Sequence, residues 1–159
     1  MNELPRRRIL LFTNLFPNPG NLTHGIFILQ LARELALYCD VTVVCPLPWF
    51  PRISWFRRFA RWYALAEVPS RYQVENLTVF SPKYLMMPRF FRPFQAILVF
   101  LGSLTTVWRL QRANRFDVLH APWLFPDAVA AGWLARRLTA LRPEFWYTRK
   151  PNTSSTFHS

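Results

Sequence analysis

The sequence predicts an α/β fold: a doubly wound, mainly parallel sheet with helices on both faces. Three observations carry this expectation. Short apolar runs, Ile9–Phe12, Val41–Cys45, Leu77–Phe80 and Phe116–His120, are set off by Pro, Asn, Ser or Arg, as buried strands are. Segments with apolar residues three and four apart lie between several of them, so strands and helices alternate. Residues 9–45 read as strand, loop, helix, strand, a βαβ unit with parallel strands and a right-handed crossover.

The elements follow in order. Residues 1–8 are a basic lead-in ending in Arg6-Arg7-Arg8. The first strand gives way to a loop over residues 13–25, rich in Asn and Pro and closed by His24-Gly25. Ile28, Leu31, Ala32, Leu35 and Ala36 then form one helical face. The β-branched run Val41-Thr42-Val43-Val44 is a strand. Pro46, Pro48 and Pro51 are expected to end its ladder, because proline lacks the N–H.

Residues 53–68 place Trp55, Phe59 and Trp62 on one helical face, with Arg57, Arg58 and Arg61 on or beside the other. That is the make-up of an interfacial amphipathic helix. A surface helix packing its aromatics on its own core is the plainer alternative. Glu67–Asn76 reads as a linker, and Tyr84–Arg89 as irregular. The long apolar stretch Phe94–Trp108 reads as part of a buried helix running to Asn114, since it is too short to span a bilayer. After the strand ending at His120 and the loop 121–127, a helix is expected over 128–138, with Asp127 at the positive end of its dipole.

Composition bounds the partners. The 159 residues carry 20 Lys and Arg against 8 Asp and Glu, a net charge of +12, which favours phosphate-bearing or lipid anions. No RNA- or DNA-binding motif is present, so nucleic acid is not the expected partner. Cys39 and Cys45 lack metal-ligand spacing and read as buried, reduced thiols of a cytosolic protein. Neither a secretory signal nor a metal-ligating cluster is expected, and no cofactor is implied. The apolar run after Arg8 stops at Thr13-Asn14, short of a signal core.

In doubly wound sheets, ligands bind at the carboxyl ends of the strands. Three loops there carry candidate residues. The first holds Asn18, His24 and Gly25; glycine at a helix start lets backbone N–H groups approach an anion. The second holds His120, a candidate hydrogen-bond donor or acid/base group, and Asp127. The third holds Lys83 and Arg89, candidate phosphate contacts. There is no G-x-G-x-x-G dinucleotide fingerprint and no G-x-S-x-G nucleophile motif.

The run FTNLFPNPGNLTHGIFILQLARELA resembles the opening of the retaining GT-B glycosyltransferases of the glycogen-synthase-like type, family 4. Gly25, Phe27 and Gln30 stand where that family has a glycine, a phenylalanine and a glutamine. The resemblance continues through VTVVCPLPWFP, through Ser81-Pro82-Lys83-Tyr84 with Met87-Pro88, and through FDVLHAPWLFPDAVAAGWLARRL, together about residues 7–138. It implies the Rossmann-like N-terminal half of a GT-B fold. Such a half mostly binds a glycan or lipid-linked acceptor, while a C-terminal half binds the nucleotide sugar and carries paired glutamates. Gly25 would face donor phosphates or acceptor, and His120 the transferred sugar. Many relatives read His-Ala-His-Trp where this chain has His120-Ala121-Pro122-Trp123, so one of two histidines is replaced.

Residues 139–159 depart from the pattern. Where relatives continue with a valine-rich strand and a glycine loop, this chain reads LTALRPEFWYTRKPNTSSTFHS, a tail of disordered composition. A frameshift or early stop near Ala140 is the expectation, with the donor-binding half missing and this chain inactive unless a separate half completes it. The expected location is the cytoplasmic membrane face, with Trp55, Arg57, Arg58, Phe59, Arg61 and Trp62 toward anionic lipid. The alternative is a basic membrane- or nucleic-acid-binding module without catalysis.

Overall fold

The computed structural model describes residues 6–49, 65, 67–86 and 94–141. Residues 53–62, with the six proposed membrane contacts, lie outside that set, as do Arg89 and the tail from residue 142. The fold is α/β, with a mixed, mostly parallel sheet compatible with a Rossmann-like arrangement.

The strands are β1 (Arg8–Phe12), β2 (Asp40–Val44), β3 (Leu47–Trp49), β4 (Arg71–Val74), β5 (Leu77–Phe80), β6 (Lys83–Leu85) and β7 (Val118–His120). The helices that lie wholly within the described residues are α1 (Ile26–Tyr38), α2 (Gln95–Asn114) and α3 (Val129–Leu141). Five strands form one sheet in the order β4-β5-β2-β1-β7. All neighbours in it are parallel except β4, which closes one edge antiparallel to β5.

Alternation along β1 explains the two covered faces. Leu10 and Phe12 pack with Val99, Val107 and Leu134 from α2 and α3. Leu11, between them, points the other way and packs with Ile28, Leu29 and Ala32 of α1. The same split separates Val44 from Val43 in β2. A side-chain period of two thus sends each strand into two cores.

The structure corrects several local expectations. The buried face of α1 is Ile28, Leu29 and Ala32, while Leu31 is exposed. Leu47–Trp49 does form a ladder, pairing parallel with Lys83–Leu85. Its bonds run from the Leu47 N–H to the Pro82 carbonyl (2.9 Å) and from the Met86 N–H to the Trp49 carbonyl (3.2 Å). Pro48 sits between these positions, where its missing N–H faces away from the partner strand.

Part of the supposed linker is β4, whose Tyr72 and Val74 turn inward while Arg71 and Gln73 are exposed. A two-residue turn at Glu75-Asn76, with Glu75 at φ 54°, joins it to β5. Arg33 of α1 makes an exposed ion pair with Glu75. The helix α2 is buried on one side only, and Leu101 is 57% exposed. Cys39 is only partly buried, whereas Cys45 is fully buried.

A close approach fixes where α2 lies. A Cβ on Gly102 would stand 2.7 Å from the Cβ of Tyr84 and 2.8 Å from the Lys83 carbonyl oxygen. Gly102→Ala is therefore expected to push α2 off β6 and to destabilise the fold by about 1–3 kcal/mol, read by urea unfolding. No loss of stability would mean that the two elements separate freely.

Candidate functional site at the carboxyl edge of the sheet

The strands β1, β2, β5 and β7 run in one direction, so their carboxyl ends share one edge. Leu11 lies beside His120, Phe12 beside Val44, and Val44 beside Phe80. From β1 the chain crosses to β2 on one side, and β7 lies on the other. The loops after β1 and β7 therefore diverge, which is the arrangement that opens a crevice at a strand-order reversal. Phe27 of α1 and Trp123 of the second loop meet edge to face, with ring centroids 5.9 Å apart.

The loop after β1 is built by its own short polar side chains. Asn18 is buried; its Oδ1 accepts from the Gly20 and Asn21 N–H groups, both at 3.0 Å, and its Nδ2 donates to the Phe16 carbonyl. The sequence suggested a ligand contact for Asn18, but its amide is committed to holding the turn. Asn21 accepts in the same way from Thr23, and the Tyr72 hydroxyl donates to the Pro17 carbonyl (3.1 Å), tying the loop to β4.

The loop ends at Gly25, whose φ of 69° lies in the left-handed region. A Cβ there would stand 2.5 Å from the Leu15 carbonyl oxygen. Gly25 caps α1, its carbonyl accepting from the Ile28 and Leu29 N–H groups, and no side chain caps this helix end. The positive end of the α1 dipole thus opens next to His24, which is half-buried. His120 is exposed at the end of β7.

Asp127 lies just before α3, where its sequence position put it, but its side chain is turned inward. It is fully buried in the wide turn Leu124–Ala128 that precedes α3. Its Oδ2 accepts from the Asn14 backbone N–H at 2.8 Å, so the carboxylate ties the β7–α3 connection to the loop after β1. Its Oδ1 is buried without a hydrogen-bond partner. Burial raises its pKa to about 6, against the opposing pull of the Asn14 N–H and the Thr13 hydroxyl.

Cys45, next along this edge, is pushed up to about 12, first by burial and then by the charge of Asp127. Its thiol stays protonated and is no nucleophile. The hydroxyls of Tyr72 and Tyr84 also ionise less readily than usual, both mainly because of burial. Lys83 is half-buried and donates from Nζ to the Leu65 carbonyl at 2.8 Å, and burial lowers its pKa. Its ammonium is thus partly committed to the protein itself.

The structure brings His24, Gly25, His120 and Asp127 to one edge. It turns Asn18 and Asp127 inward, as supports of the two loops rather than contacts on their surface. Sequence reasoning missed the Asn14 N–H as the partner of Asp127 and the Phe27–Trp123 contact. A lone acid inside the apolar run LFPDAVAA was the available sign that Asp127 is buried.

What the edge offers chemically is a helix N-terminus for an anion and two imidazoles for proton transfer or hydrogen bonding. No cluster of three metal-ligating side chains occurs among the described residues. A surface hollow of about 410 Å³ lies elsewhere, between α2 and α3, lined by Phe100, Trp133, Arg136 and Arg137. Compared with family models, with curated proteins and with solved structures, the chain gives no match.

Proposed function

We propose that this chain is the acceptor-side, Rossmann-like half of a retaining GT-B glycosyltransferase. The whole enzyme would move a sugar from a nucleotide-sugar donor to a lipid-linked or polysaccharide acceptor. The observation that carries the proposal is the reversal of strand order at β1, which sets the Gly25 loop beside the His120 loop. Two motifs of the family resemblance, about ninety residues apart in sequence, fall on those adjacent strand ends.

In this role Gly25 and the α1 N-terminus receive a phosphate of donor or acceptor, with His24 beside them. His120 donates a hydrogen bond to the sugar or acceptor hydroxyl, and its exposure leaves it open to substrate. Asp127 and Asn18 position the loops. Lys83 and Arg89 supply flanking positive charge. The whole enzyme of this proposal also needs a donor-binding half with paired glutamates. Trp55, Arg57 and their neighbours in residues 53–62 serve a peripheral membrane location in this proposal, and no helix among the described residues is long and apolar enough to cross a membrane.

The test is genetic. The encoding DNA, translated in all forward frames beyond residue 159, is expected to contain a valine-rich strand, a glycine loop and a nucleotide-sugar domain. If no frame there and no neighbouring gene encodes such a half, the transferase proposal fails.

A further inference from the structure

We propose that the outward face of α2 and α3 is a docking surface for an anionic lipid bilayer. The inference rests on this face alone and is independent of the transferase proposal and of residues 53–62.

The helix α2 is apolar on both sides. Ala96, Val99, Ser103, Val107 and Leu110 are buried against the sheet. On the opposite side, at the same three-and-four spacing, come Ile97, Leu101, Thr105 and Trp108. Ile97, Leu101 and Trp108 are 40%, 57% and 39% exposed. A helix on the surface of a monomer normally presents polar residues there. On α3, Trp133 is likewise exposed, and it meets Phe100 of α2 edge to face at 6.0 Å, which joins the two outward faces.

The charges on this surface have one sign. Arg109 and Arg112 project from the last turns of α2, and Arg136 and Arg137 from α3; all four are exposed. Neither helix contains an acidic residue. The Arg112 guanidinium lies 4.7 Å from the centroid of the Trp108 ring, which places a cation beside an aromatic of the kind that settles at the headgroup level. Exposed aliphatic and Trp side chains with arginines among them match a surface that is negative above and hydrocarbon beneath.

A symmetric dimer fits this face poorly. It would bring the same four arginines together with no carboxylate on either helix to offset them. A nucleic acid would leave Ile97 and Leu101 without apolar partners.

The experiment is cosedimentation of the full 159-residue chain with vesicles of phosphatidylcholine, with and without phosphatidylglycerol. Binding is expected to the anionic vesicles, weakening as salt rises. Arg136→Gln with Arg137→Gln is expected to weaken it about twenty-fivefold, at about fivefold per arginine near an anionic surface. Leu101→Ser is expected to weaken it about tenfold while leaving the circular dichroism spectrum unchanged, since the side chain is exposed. Arg33→Gln removes a charge from α1, on the other side of the sheet, and is expected to change binding less than twofold. Vesicle binding that survives both the arginine pair and Leu101→Ser overturns the proposal. So does a concentration-dependent dimer without vesicle binding, or a preference for duplex DNA over the anionic vesicles.

Discussion

Gly25→Ala is expected to destabilise the fold by about 3 kcal/mol or more, in urea unfolding at neutral pH. Two costs add. An alanine at a φ of 69° is strained by itself, and its Cβ would stand 2.5 Å from the Leu15 carbonyl oxygen. That neighbour is backbone of the same loop, so it can yield only if the loop moves. A moved loop would carry the α1 N-terminus away from β7. Loss of anion binding should therefore accompany the loss of stability. A variant as stable as the wild type would mean that the loop is not held against Gly25.

Asp127 gives the second large effect, and it has a sign. Its carboxyl has a pKa of about 6 in the folded protein, above the ordinary 3.8, so the folded state holds the proton more tightly than the unfolded state does. The ionised group is a penalty on folding that is absent below about pH 4 and complete above about pH 6. The separation of the two values corresponds to about 3 kcal/mol at full ionisation.

Asp127→Asn keeps an oxygen for the Asn14 N–H but cannot ionise. The stability of the variant relative to the wild type should therefore rise by about 3 kcal/mol between pH 4 and pH 7.5, as read from urea unfolding at several pH values. A difference that stays constant with pH would mean that the carboxylate is as well solvated in the folded protein as in the unfolded one.

Much of the fold was legible because its strongest signals are local. The runs at β1, β2 and β5 are apolar enough to read as strands whatever they pack against, and α1 follows a Gly at its start. The misreadings have physical causes. β4 hid among polar residues because an edge strand needs only Tyr72 and Val74 to face inward. β3 hid behind Pro48, which is tolerated because only the alternate residues bond to β6. For α2, periodicity revealed the helix but not that only one side of an apolar helix would be covered.

The site was less legible. Gly25 was legible as the end of the loop and the start of α1, because the positive φ there favours glycine. Asn18 and Asp127 look like ligand contacts in sequence because they are polar residues in loops. Whether such a residue faces solvent or supports backbone depends on partners distant in the chain, as Asn14 is from Asp127, or on how the loop folds back, as at Asn18.

The central claim is that an anion binds between the loops after β1 and β7. The most direct measurement is an amide chemical-shift titration of the isotopically labelled chain with inorganic pyrophosphate, at a salt concentration high enough to screen loose association with its +12 charge. The largest shifts are expected at His24, Gly25, Ile26 and Phe27, with smaller ones at His120 and Ala121. Shifts confined to the opposite edge of the sheet, around Arg6, Arg8 and Arg115, would contradict the assignment of the site.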